Sequence, residues 1–157
     1  MISSLPMLNF GMKAPFTFGK FLQMCEDLIS GEDIALISKT NQHTSTYNID
    51  GITFATFKKW AVFDTTLRNE LVKIRALRKH IDATKYLRDD RLTDVQASHL
   101  AMAAYRIPSF LEAERYLDEV RWHFLDELCF GHYFDLDSLV IYGLKLMILE
   151  RWDRIRS

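Results

Sequence analysis

Within the stretch RWHFLDELCFGHYF, residues 121–134, five side chains of metal-binding type fall close together: His123, Asp126, Glu127, Cys129 and His132. Such residues can hold zinc or iron, or supply a nucleophile and its base. Spacing decides between those uses and plain helix chemistry. A structural zinc site brings four ligands onto one tetrahedral centre, usually as close Cys and His pairs. Here the order is His123-x5-Cys129-x2-His132, with no C-x-x-C and no H-E-x-x-H. A di-iron bundle needs two Glu-x-x-His motifs, and the chain contains none. Glu119, His123 and Glu127 share one helical face at i, i+4 spacing, which suits a solvated rim. Cys129 has the character of a small core residue. His132, just past Gly131, is placed to complement the end of a helix. The expectation is therefore no metal, no cofactor and no catalytic residue in this stretch.

Nucleophilic and nucleotide chemistry have no better support. Cys25 and Cys129 share no motif, the serines lack a G-x-S-x-G elbow, and there is neither a Walker loop nor G-x-G-x-x-G. The net charge of −1 provides no global attraction for nucleic acid or acidic lipid. No small-molecule substrate is evident. Two unpaired cysteines, a beginning that lacks the pattern of a signal peptide, and a longest apolar stretch (139–149) interrupted by Lys145 lead to the expectation of a cytoplasmic protein without membrane insertion.

The elements that position these residues are helices. With 157 residues, 48% hydrophobic and eleven of them Phe, the chain can bury a bulky core. Six Gly and three Pro leave little material for the turns of a sheet. The fold class expected is all-α, one helical domain over 1–157, after an extended segment over about 1–16. Thr17 caps a first helix that stops before Gly31, and GEDIALISK continues as a short one. Residues 39–51 form a polar loop. Around 46–54 either a small hairpin turns at Asp50-Gly51, or a plain loop ends with Thr53 capping the next helix.

That helix, about 54–80, has the apolar stripe Phe57, Trp60, Leu67, Leu71 and Ile74, with Asp64 on the same side. Asp82 starts a shorter element, and TDVQ at 93–96 reads as a capping box for a helix reaching about Tyr105. After Pro108, Ser109 starts a helix to about Cys129, with Leu117, Val120, Phe124, Leu125 and Leu128 inward and Gly131 as its left-handed cap. Asp135 or Asp137 caps the last helix, apolar nearly all round, which is either central or covered by a partner. Its Tyr142, Met147 and Trp152 are candidates for partner contact. Asp64, Leu67, Leu71, Ile74 and Arg78 share their spacing with Asp137, Val140, Leu144, Met147 and Arg151, an internal echo.

Charge is organised. Residues 68–91 carry eight Lys and Arg against four acids, and residues 112–137 carry eight acids against two bases. The two stretches are either docking faces or rims that pair, each exposed pair contributing under about 1 kcal/mol. Asp64, Arg75 and Arg121 sit close to apolar stripes and are candidates for a structural ion pair that fixes helix register.

Several segments resemble a bacterial family of uncharacterised proteins encoded among the genes for V-type ATP synthase. They are SLPML, APFTFGKFLQMCEDLIS, LRNELVKIRALRK and YLDEVRWHFLDELCFGHYFDLDSLVIYGLKLMILERW. A more distant likeness is to the C-type central-stalk component of V-type ATPases, called d in eukaryotes. That component is an all-helical, non-catalytic socket between rotor shaft and membrane ring. Its helical units carry an Asn followed six residues later by Arg-Ala, as Asn69 is followed here by Arg75-Ala76. The family's acid, three before the Asn, falls on Thr66, and the nearest acid is Asp64. Glu114, Leu117 and Asp118 echo a second element, one residue short. The resemblance implies an adaptor or assembly protein whose partners are V-type ATP synthase subunits of the shaft or ring. The alternative is an enzyme with an unrecognised Cys/His or carboxylate site near 123–137.

Overall fold

In a computed structural model, the structure describes residues 4–41, 48–89 and 91–157. Among them the regular elements are all helical: α1 (Phe18–Glu26), α2 (Gly31–Lys39), α3 (Ala55–Lys79), α4 (Val95–Tyr105), α5 (Phe110–Cys129) and α6 (Leu136–Arg156), with 3-10 turns at Ile49–Gly51 and Ala83–Lys85. The fold is all-α. The chain divides into two compact units. Met1–Gln42 with Trp122–Ser157 form the first, and His43–Arg121 form the second.

The first unit is built round α6. Leu139, Val140, Ile141, Leu144, Leu146 and Leu149 of that helix are buried, which is why its sequence is apolar on nearly every face. Phe18 and Phe21 of α1 and Ile37 of α2 are buried with them. Gly143 permits the approach of α1: a Cβ there would lie 2.9 Å from Phe18 Cε2 and 3.2 Å from Phe21 Cε1. Residues 6–16, before α1, form no helix, so their backbone needs other partners. Much of that need is met by α6. Ala14 N–H donates to Asp153 (2.9 Å), Phe18 N–H donates to Glu150 (3.0 Å), and Arg156 donates to the carbonyl of Gly11 (3.1 Å).

Thr17 caps α1, accepting from Lys20 N–H at 3.1 Å. The helix ends sooner than expected, at Glu26, because Ser30 must be extended (ψ 157°) to cap α2 through Asp33 N–H.

The second unit packs α3 on α4 and on the part of α5 up to Arg121. Leu67 and Leu71 meet Ala101, Ala104 and Leu117, and the small alanines let the helix backbones approach. Beyond α3 the chain is tied back by Asn69. Its side-chain oxygen accepts Arg88 N–H at 3.0 Å, and its amide donates to the Arg88 carbonyl. His80, with φ 55°, closes α3, and Ile81 N–H reaches the carbonyl of Ala76 at 3.1 Å. That is a Schellman cap made without glycine.

Neither sequence expectation before α3 survives in the described part. Residues 46 and 47 lie outside the described residues. Asp50-Gly51 belong to a 3-10 turn, and Gly51 lacks the positive φ that a tight hairpin turn of this type needs. Phe54, not Thr53, occupies the cap position, without a side-chain cap. The box expected on Thr93 moves by one residue, with Asp94 accepting Ala97 N–H at 2.8 Å.

Candidate functional site

The connection between α5 and α6 gathers the polar residues on which chemistry could rest. Gly131, with φ 83°, ends α5 as its glycine suggests. Asp135 starts α6 in a complete capping box: its Oδ1 accepts Ser138 N–H (3.0 Å), while Ser138 Oγ accepts Asp135 N–H (3.1 Å). Between them Phe134 holds φ 64°, a left-handed conformation that costs a bulky residue roughly 1–2 kcal/mol. The result is a loop that turns three aromatic rings outward. Phe130 is 86% exposed, Tyr133 72% and Phe134 68%.

His132 is not directed as the sequence suggested. Its Nδ1 lies 2.8 Å from Asp135 Oδ2 and 3.7 Å from Asp137 Oδ2, so it faces the start of α6 and its acids. Burial works to raise the Asp135 carboxyl. The His132 hydrogen bond and charge, with the bonds to Ser138, outweigh it and hold the carboxyl below the usual aspartate range.

One imidazole nitrogen and two carboxylate oxygens lie within 4.8 Å of one another in this group, a donor set that zinc or manganese can use. Both Asp135 oxygens are already engaged, one by Ser138 and one by His132. A metal would have to break the latter bond. The capping role accounts for the same contacts without an ion.

The remaining members of the opening cluster disperse. His123 and Glu127 are exposed. Asp126 accepts from Lys145 of α6, whose ammonium lies 5.1 Å from the centre of the Trp122 ring. Cys129 is half-buried, its thiol donating weakly to the His132 carbonyl (3.8 Å). Burial pushes that thiol up, further than nearby Lys145 draws it down, and burial also pushes up Cys25. A thiol shifted this way is the opposite of the lowered one that activates a nucleophilic cysteine.

The structural candidates lie in the second unit. Asp64 of α3 and Arg121 of α5 are 1% and 5% exposed, and Arg121 Nε donates to Asp64 Oδ1 at 2.7 Å. Arg68 Nε takes the other Asp64 oxygen at 3.0 Å, and Arg121 Nη1 donates to buried Asp118 at 2.8 Å. Burial would raise the Asp64 pKa, but Arg121 and Arg68 outweigh it and hold the carboxyl low. Arg121 is likewise driven toward its charged form by Asp64 and Asp118 against the cost of burial. The acid comes from the helix with the basic stretch and the base from the helix with the acidic one, the reverse of the rim pairing considered from charge runs.

Arg75 is not part of this group. It lies three turns beyond Asp64, where the covering of α3 gives way to a groove, and it is exposed.

The three partner-contact candidates of α6 face inward to different degrees. Trp152 is buried and Met147 half-buried. Tyr142 is half-buried, stacks on Phe16, packs against Phe21, and donates to the Pro6 carbonyl at 2.7 Å. Burial pushes its phenol up to about 12. The exposed rings of 130–134 escaped sequence reading. Three aromatics in five residues beside a helix-ending glycine were the available signal.

Residues 100–156, a little over a third of the chain, match a family described as a protein of unknown function (DUF2764). The match covers α5 and α6 and the block on which the sequence resemblance rests most heavily. It carries no link to the C-type stalk component of V-type ATPases. No curated protein and no solved structure matches the chain. No helix among the described residues is long and apolar enough to cross a membrane.

Proposed function

We propose that this chain is a non-catalytic adaptor or assembly component of a bacterial V-type ATP synthase, related in manner to the C/d-type stalk socket. In this reading it works on the cytoplasmic side, next to the membrane, by contact with shaft or ring subunits. The observation that carries a contact role is the aromatic loop. Phe130, Tyr133 and Phe134 are outward, held by a left-handed Phe134 and a capped α6, and large exposed aromatics are typical anchors of protein interfaces. Asp126, Glu127, Asp135 and Asp137 flank them, so a basic partner surface complements the loop. The link to the ATP synthase rests on the segment resemblance. Asn69 and Arg75-Ala76 supply its helical-unit motif. Tyr142 is engaged by Phe16, Phe21 and the Pro6 carbonyl and Trp152 is buried, so Met147 is left as the α6 residue for a direct contact.

A tagged pull-down from gently solubilised native membranes, read by mass spectrometry, tests this. Shaft or ring subunits in fixed ratio, lost with Phe130→Ala/Tyr133→Ala/Phe134→Ala, are the expected result. Recovery of the protein alone, with abundant ATP synthase in the input, counts against it.

A second reading has one observation in its favour, the convergence of His132, Asp135 and Asp137. An enzyme using that group would carry stoichiometric metal. Elemental analysis of protein purified without chelator decides it, and His132→Ala should then abolish the metal content.

A further inference from the structure

The second unit contains a groove of about 370 Å³ that none of the preceding functions uses. Leu71 of α3, Ala104 of α4, and Ala113 and Leu117 of α5 contribute an apolar floor. Three arginines line it: Arg75 and Arg78 from the end of α3, and Arg106 just after α4. Arg78 donates to the Tyr105 hydroxyl at 2.9 Å, with its guanidinium 5.8 Å from that ring's centre. Among the described residues, none of the three has a carboxylate partner. Phe110, also lining the groove, is 73% exposed.

Helix ends explain part of this charge. The C-termini of α3 and α4 each contribute roughly −0.5 of an elementary charge, and cations at such ends are favourable. Glu114, the acid in the lining, adds one more negative charge. Against about −2 in total stand three guanidinium groups and the roughly +0.5 of the α5 N-terminus, leaving about +1.5 beside an apolar floor. Arginine also binds carboxylates through a planar fork that a compact cation lacks. An apolar floor alone would suit any hydrophobe, and guanidinium groups alone any anion. Together they select a ligand with both features side by side.

We propose that this groove binds an acidic peptide segment of a partner protein, seating one apolar side chain on the Leu71–Ala113 floor while flanking carboxylates pair with Arg75, Arg78 and Arg106. The groove uses no residue of the 130–137 loop, so it stands whether or not the ATP synthase reading does. Phe110 extends the apolar surface beyond the floor, giving an extended peptide more to cover than a small anion needs.

The test uses the full chain and a fluorescein-labelled peptide with one leucine flanked on each side by two glutamates, read by anisotropy. Saturable binding that weakens with added salt is expected. Arg75→Glu/Arg106→Glu should weaken it by about tenfold or more, because attraction becomes repulsion. Ala113→Leu should weaken it without any change in charge, by filling the floor. A peptide with serine in place of leucine should bind worse than the parent. Circular dichroism and a melt establish that each variant is folded, and Arg106→Glu alone serves if the double variant is not. Absence of saturable binding, or equal affinity for wild type and both variants, would overturn the proposal. So would binding to phosphatidylserine vesicles, lost in Arg75→Glu/Arg106→Glu, from a protein that ignores the peptide.

Discussion

Asp64 and Asp135 are both aspartates bonded to a nitrogen-bearing side chain, yet they do different work. Asp64 lies in the middle of α3 with 1% exposure, and its charge is tolerable only because Arg121 and Arg68 occupy both oxygens. Asp135 lies at the start of α6, with its side chain 41% exposed, where water shares the load with His132 and Ser138. The same residue type bonds two helices together in one unit and caps a helix locally in the other. Solvent, more than the number of partners, sets what each is worth.

Breaking the buried group should give the largest effects. Arg121→Ala leaves buried Asp64 to Arg68 alone and takes a guanidinium bond from buried Asp118, and should cost about 3–5 kcal/mol, read by chemical denaturation. Asp64→Ala leaves Arg121 with Asp118 as a partner and should lie at the lower end of that range; a loss under about 0.5 kcal/mol would make Asp64 an ordinary surface residue.

A volume change in the other unit should come next. Gly143→Ala forces its methyl against Phe18 and should cost about 1–3 kcal/mol, reduced by alanine's better helix propensity. A neutral or stabilising outcome would mean that α1 yields easily. Asp135→Ala should remove about 1 kcal/mol as a lost cap. Smallest is His132→Ala, at or below about 1 kcal/mol, since its pair is half-exposed.

The two aspartates also divide by pH. Both have folded-state pKa values held below the ordinary aspartate range. Their contributions are therefore present in full above about pH 4 and are lost as pH falls below that, through the depressed folded values. The buried Asp64 should dominate this acid loss. An Asp64→Asn variant should show a flatter stability profile below about pH 4 than wild type, and Asp135→Asn should barely change it. Equal flattening by both would erase the distinction.

Several helix starts were legible because a residue that bonds free N–H groups precedes them: Thr17, Ser109 and Asp135, with the start read at Thr93 falling one residue on, at Asp94. α3 was found from its apolar period alone, and its ends were harder because Phe54 and His80 replace the usual cap residues. Asp64 and Arg121 were noticed as charges on apolar stripes, but no pattern in one chain says which arginine reaches which acid. Arg75 shows that limit. It has the same helical phase as Asp64, and only the tertiary covering leaves it exposed. The echo between α3 and α6 has the same weakness, since Asp64 is buried mid-helix whereas Asp137 lies in the first turn of α6 beside His132.

The first unit is assembled from two pieces of chain, and residues 43–121 separate them. Ala14 and its partner Asp153 are 139 positions apart. At ordinary rates of protein synthesis, α1 and α2 leave the ribosome on the order of ten seconds before α6 is complete. Phe18, Phe21 and Ile37 must wait that long for their cover, while the intervening unit already has its own helices to fold. Chaperone demand should therefore concentrate on the segment carrying α1 and α2, because the helix that completes their core follows only after residues 43–121 have been made.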